Sequence, residues 1–154
     1  MLAGLDSLAR AVTMRVLIDH IDHVSLLSNY SRLPENAHKP WSVFIKLDNG
    51  SRRAGLPPHS AALEQLVRAV EANPKIHLYG FYAYTSTSYA SRTPEDAERY
   101  LQDQIHAVIS ATALLQDQSQ PLVLSIGSSP TARVLRPIRE KVGSNITFEI
   151  HAGK

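Results

Sequence analysis

The sequence predicts an α/β fold with about five parallel strands, and three observations carry the prediction. Five short apolar runs recur along the chain: Thr13–Ile18, Ser42–Leu47, Ile76–Tyr84, Leu122–Ile126 and Ile146–Ile150. Each is near-continuous in Val, Ile, Leu, Phe or Tyr, as in strands covered on both faces of a parallel sheet. Helical periodicity lies between the runs, and polar, mostly Gly-containing segments follow four of the five. That last feature concentrates the chemistry on one edge of the fold.

The elements follow in order. Met1 to Met14 carries Asp6 and Arg10 among apolar residues and reads as an amphipathic helix. The first strand ends at Asp19-His20, and Asp22 to Ser31 reads as a short helix. After the second strand, Ser60 to Ala72 places Leu63, Leu66, Val67 and Val70 on one stripe, between Pro57-Pro58 and Asn73-Pro74. Thr93 is an N-cap candidate, with Pro94 in the first turn and Glu95 and Asp96 at the positive end of the helix dipole. From there Ala97, Leu101, Ile105, Val108, Thr112 and Leu115 recur every three or four residues. Thr131 to Lys141 is a last, shorter helical pattern. Five such strands suit either an open doubly wound sheet or part of an eight-stranded barrel, and in both the carboxyl ends of the strands carry function.

Composition narrows the function classes. The 154 residues are 44% hydrophobic and 19% charged, with seven Gly and nine Pro, a globular composition rather than a disordered or collagen-like one. Sixteen basic against fourteen acidic residues leave +2, and the longest Lys/Arg run is Arg52-Arg53. Nucleic acid and anionic membrane are therefore poor partners. The absence of cysteine rules out disulfides, thiolate zinc sites and cysteine nucleophiles within the chain. The N-terminus lacks the basic start and apolar core of a signal peptide, so a cytoplasmic location is expected.

The segments after the strands hold the candidate site residues. Gly127-Ser128-Ser129-Pro130-Thr131 joins a strand to a helix and offers N–H groups and hydroxyls, a cradle for a phosphate dianion. No Walker lysine follows, so spacing alone favours the plainer reading, a Ser-capped turn. Asp48 to Gly55 carries two arginines between glycines; one could donate to an anionic or phenolic oxygen, or both could simply be solvated. His20 and His23 have an i, i+3 spacing, but no convincing third and fourth metal ligand lies nearby. Glu149 and His151 face the same way at the end of the last strand, which suits either proton chemistry or a structural carboxylate. Ser88-Tyr89 follows the third strand, where the tyrosine could cover a cofactor or pack against the next helix.

Together these segments carry more than each alone. Val43-Phe-Ile-Lys-Leu-Asp48, Arg53-Ala-Gly-Leu56, Gly80-Phe-Tyr-Ala-Tyr84 with Ser88-Tyr89, Leu124-Ser-Ile-Gly-Ser-Ser-Pro-Thr131 and Glu149-Ile-His-Ala-Gly153 follow one another in a characteristic order and spacing. The chain thereby resembles, over essentially its whole length, the D-serine dehydratase / D-threonine aldolase family. These are pyridoxal-phosphate enzymes with an alanine-racemase-type barrel, and the fungal dehydratase-like members are the most similar. The resemblance implies a partial TIM barrel of strands four to eight, open at both edges, forming a single domain over residues 1–154. By carry-over, Arg53 would address the phenolic oxygen of the cofactor, and Tyr89 would lie near its ring or phosphate. Gly127, Ser128, Ser129 and Thr131 would surround the phosphate, with Gly153 adding a backbone N–H, and His151 would face the substrate or metal side.

The resemblance also implies a lyase acting on a small D-amino acid, by β-elimination to a keto acid and ammonia or by aldol cleavage, in a homodimeric parent. In such enzymes the Schiff-base lysine ends the first barrel strand, before the region matched here. A C-terminal β domain holds a zinc site in the dehydratase branch; its ligands are absent from this chain. The expectation is therefore a chain incompetent by itself, or a phosphate-binding remnant. One departure points the same way. Where the family shows a His-Ala-Gly-His-Ser-Tyr pattern, this sequence has Tyr84-Thr-Ser-Thr-Ser-Tyr89, with Tyr84 and Thr87 at the histidine positions.

Overall fold

A computed structural model describes residues 1–134 and 144–152. Its five strands are β1 (Val16–Ile18), β2 (Trp41–Asp48), β3 (Ile76–Tyr84), β4 (Leu122–Ile126) and β5 (Ile146–Ile150). They lie side by side in chain order, every neighbouring pair parallel. A doubly wound sheet reverses its strand order at a switch point, and this one does not. Sequential parallel order is the arrangement of a barrel wall, which decides between the two architectures the sequence left open.

The helices are α1 (Leu2–Leu8), α2 (Ile21–Asn29), α3 (Ala61–Glu71), α4 (Pro94–Thr112) and α5 (Ser129–Ala132). The stripe Leu63, Leu66, Val67 and Val70 of α3 is buried, as its spacing predicts, and Ser60 caps the helix by accepting from Leu63 N–H. Thr93 caps α4 by accepting from Asp96 N–H. The helices meet one face of the sheet, where Val43, Ile45, Leu47, Phe81, Ala83, Leu124 and Ile126 are fully buried. The opposite face, the inside of the arc, carries Leu17, Phe44, Lys46, Tyr82, Ser125 and Glu149. Register aligns Lys46, Tyr82, Ser125 and Glu149 in one row across four strands.

Two expectations are corrected here. The near-continuous apolar runs suggest strands covered on both faces, but among the described residues only the helix face is sealed: Leu17 on the other face is 46% exposed. The predicted helix from Met1 to Met14 ends at Leu8. Tight turns follow, with Ala11 N–H bonding Leu8 O and Val12 N–H also bonding Leu8 O, because the chain must swing round to enter β1. Only Val16–Ile18 of the first apolar run pairs with β2.

Asp6 explains why the short α1 stays docked. Its carboxylate is fully buried and accepts from Leu33 N–H at 2.6 Å, Arg32 Nε at 3.0 Å and Asn36 Nδ2 at 3.0 Å. Burial pushes the carboxyl pKa up, but the Leu33, Arg32 and Asn36 hydrogen bonds and the Arg32 charge outweigh it, and the net shift is downward. A lowered folded-state value means that Asp6 stabilises the fold above the ordinary carboxylate range and ceases to do so as pH falls through the lower folded value. Asp6→Asn should therefore lower the melting temperature by roughly 5 °C or more at pH 7. The gap between the two proteins should close at acid pH, below about pH 4. Thermal denaturation across pH reads this directly, and a gap independent of pH would refute it.

Candidate functional site

The carboxyl ends of β2 to β5 bring the candidate residues together. Gly127 leaves β4 at φ +122° and is buried; its N–H donates to Oε1 of Gln104 at 2.7 Å. Gln104 is completely buried in α4, on the face toward β4. In the sequence it is one polar residue of an amphipathic helix. Its signal was its phase, one position before Ile105 on the apolar stripe.

Ser128 caps α5. Its N–H bonds Thr131 Oγ1 at 2.8 Å while its Oγ faces Thr131 N–H at 3.5 Å, a reciprocal capping box. Ser128 Oγ also lies 2.7 Å from Ser88 Oγ, and Ser88 donates to Thr85 O. Ser88, Ser128 and Thr131 are buried, so their hydroxyls hold the loop in shape. The Ser-capped turn that spacing alone favours is thus present, and the hydroxyls at its mouth belong to Ser129 and Tyr89. Those two approach each other at 3.4 Å, with Tyr89 52% exposed. The helix begins at Ser129, two residues before the predicted start, and the predicted stretch beyond residue 134 lies outside the described residues.

His151 stands at the end of β5. Its N–H donates to Ile126 O at 3.0 Å, and its ring stacks on Tyr82 with centroids 4.5 Å apart and planes 9° from parallel. Tyr84 lies tilted 6.0 Å away, whereas Thr87 is exposed. Ser125 Oγ sits 3.3 Å from His151 Nδ1 and donates to Glu149 Oε1 at 3.5 Å. Burial lowers the His151 pKa against the opposing pull of Glu149 and the Gly127 backbone. Burial likewise raises that of Tyr82, with smaller contributions from Tyr84 and Glu149. The imidazole is thereby favoured in its neutral form.

Arg53 is exposed on the loop after β2 and, among the described residues, makes no hydrogen bond or ion pair. That loop folds back on its own strand: Leu56 N–H bonds Lys46 O, Asp48 N–H bonds Leu56 O, and Gly55 N–H bonds Asp19 Oδ2 at 2.8 Å. Ser51 Oγ bridges to Ser86 Oγ at 3.2 Å, tying it to the segment that carries Tyr89. Gly153 lies outside the described residues. His20 and His23 turn inward to their own helix start, where His20 Nδ1 accepts from Asp22 N–H and His23 Nδ1 from Asp19 N–H. Among the described residues no three His, Asp or Glu side chains meet as a metal site.

This edge, with a capped Gly-Ser-Ser loop after one strand and an imidazole ending the next, can be set beside known proteins. A family model described as the alanine racemase N-terminal domain matches residues 2–142. The chain belongs to that family. Within it, the D-serine dehydratase of Schizosaccharomyces pombe is 34% identical over 146 residues, 91% of this chain and 35% of the relative. The D-serine dehydratase of Saccharomyces cerevisiae is 37% identical over 141 residues, 86% of this chain and 32% of the relative. The chain thus spans about a third of the length of these curated relatives. Among solved structures, D-threo-3-hydroxyaspartate dehydratase from Delftia sp. HT23 superposes with a TM-score of 0.74 at 20% identity, over 97% of this chain and 38% of that one. D-threonine aldolase from Filomicrobium marinum gives 0.65 at 18% identity, over 99% and 38%. These likenesses establish the alanine-racemase-type barrel wall in this family member, and no helix among the described residues is long and apolar enough to cross a membrane.

Proposed function

We propose that this chain forms the phosphate-holding wall of a pyridoxal-phosphate lyase acting on small D-amino acids, a D-serine dehydratase-like or D-threonine aldolase-like enzyme. The observation that carries the proposal is the hydroxyl-lined α5 start beside His151, in a chain 34% and 37% identical to two D-serine dehydratases. The loop fits a phosphate dianion chemically: Gly127 to Thr131 contains no carboxylate, and Ser129 brings a hydroxyl to its mouth within 3.4 Å of the Tyr89 hydroxyl. When bound, the cofactor supplies an electron sink for loss of the substrate α-proton. Ser129 and Tyr89 would hold its phosphate, with Ser88, Ser128 and Thr131 keeping the loop in place. Arg53 would donate to its phenolic oxygen, Gly153 would add a backbone N–H, and His151 would face the substrate. The domain over residues 1–154, the homodimer and the cytoplasmic location belong to the same proposal.

A second reading has one observation in its favour. By the resemblance, Tyr84 and Thr87 would stand at the family's two histidine positions, and Tyr84 lies tilted 6.0 Å from His151 with no imidazole to offer. The chain would then hold the cofactor without performing chemistry on it.

Titration of the 154-residue chain with pyridoxal 5′-phosphate, followed by absorbance and then by borohydride reduction and peptide mass mapping, tests both. Saturable binding is expected, weakened about tenfold by Arg53→Ala and by Ser129→Ala. A reduced adduct on one lysine supports chemistry; Lys46 is the lysine that the described strands place on the inner face. Binding without an adduct supports the second reading, and absence of saturable binding overturns both.

A further inference from the structure

Ser125 was assigned no role by the sequence, yet it is the most constrained hydroxyl on the inner face. It is 1% exposed and touches two groups that compete for its single proton: the Glu149 carboxylate at 3.5 Å and His151 Nδ1 at 3.3 Å. An ionised carboxylate only accepts, whereas a neutral imidazole nitrogen either donates or accepts. The arrangement satisfies both contacts in one way: Ser125 O–H donates to Glu149, and Nδ1–H of His151 donates to the serine oxygen.

The other ring nitrogen then carries a lone pair. His151 Nε2 is buried and has no hydrogen-bond partner among the described residues. The Tyr82 ring covers one face of the imidazole at 4.5 Å, and Tyr84 stands tilted at 6.0 Å. A buried acceptor left empty costs less than a buried N–H left empty, which again favours the proton on Nδ1. Among the described residues, Tyr82 and Tyr84 from β3, Ser125 from β4 and Glu149 from β5 surround the ring, together with the Gly127 backbone. Among the described residues of β3 and β4 no cation stands against the ring, so burial works against the imidazolium while Glu149 and the Gly127 backbone oppose it.

From this geometry we infer that Ser125 and Glu149 are positioning residues that hold His151 as its neutral Nδ1–H tautomer and keep Nε2 as a hydrogen-bond acceptor. The acceptor suits an N–H or O–H group of a ligand at the carboxyl edge; only the identity of that ligand rests on the reading proposed above. Free imidazole of histidine prefers the opposite, Nε2–H form, so the protein must impose this tautomer.

Long-range 15N NMR of the histidine rings tests the inference without any cofactor. His151 is expected to show a protonated Nδ1 and an unprotonated Nε2 near neutral pH. Ser125→Ala should return it largely to the Nε2–H form. Glu149→Ala, at an exposed position with little bearing on folding, should move it the same way by freeing the serine proton for Nδ1. An Nε2–H signal in the unaltered chain, or a tautomer unmoved by Glu149→Ala, would overturn the inference. A failure of pyridoxal phosphate to bind would overturn the proposed function instead and leave the tautomer result standing.

Discussion

Gly80→Ala should abolish the native β3–β4 contact and lower the melting temperature by roughly 10 °C, if the variant folds at all. A Cβ at this position would run into Val123 O and come within 2.7 Å of Val123 C. Both obstacles are backbone atoms of β4, so no side-chain rotation relieves them. The close approach has a visible origin. β3 carries one more residue than β2 at this point, since Val43 pairs with Leu78 and Phe44 with Gly80, leaving Tyr79 unpaired. Such a bulge bends and twists its strand, which is how a barrel wall curves. Gly80 stands on the inside of that curve against β4. Relief would need the strands to part, at a cost of about 3 kcal/mol or more. Circular dichroism melting measures this, and a stable Gly80→Ala variant would mean that the strands do not approach so closely. Leu78→Ala provides a comparison, because it removes atoms from the buried helix face and crowds no backbone of β4.

Gly127→Ala should act at once on stability and on the proposed cofactor site. The residue lies at φ +122°, where an L side chain is strained, and its Cβ would come within 2.8 Å of His151 O. Three features meet at this residue: the Gln104 bond to its N–H, the Ile126–His151 strand-end bond and the start of the α5 cap. A side chain would have to displace His151 from β4 or rotate the peptide away from Gln104. The expected result is a loss of about 2–4 kcal/mol of stability and at least a tenfold weaker affinity for pyridoxal 5′-phosphate. Chemical denaturation and cofactor titration of the same variant separate the two effects. If stability falls while affinity is unchanged, the Gly127 loop is a strand–helix connection and not a phosphate cradle.

These two glycines also mark the boundary of what is legible locally. Strands β3, β4 and β5 stand where the apolar runs place them, and β2 differs by one residue at each end. Helices α3 and α4 lie within the predicted stretches, with the predicted cap at Thr93, and Ser60 caps α3 as well. Such features are decided by neighbours one to four residues apart, through periodicity, capping and β-branched content. The grouping of polar segments at one sheet edge was equally readable, because parallel strands point all their carboxyl ends the same way. The curvature of the sheet was not, since Gly80 acquires its meaning from Val123, which only folding brings against it. Gln104 became an anchor because α4 packs its buried amide against Gly127, and Asp6 became a docking group through residues 32, 33 and 36.

The sequence by itself determined that this is an α/β chain with its polar loops on one edge, and its ordered motifs were enough to resemble a pyridoxal-phosphate enzyme family. Only the tertiary structure decided that the strands lie in simple chain order, that Ser128 and Thr131 spend their hydroxyls on a helix cap, and that Tyr82, Ser125 and Glu149 converge on His151. The physical reason is the range of the interactions. Periodicity and capping act over a turn of helix or a strand, whereas a hydrogen bond or ring stack between β3, β4 and β5 depends on a register that no local stretch of sequence specifies.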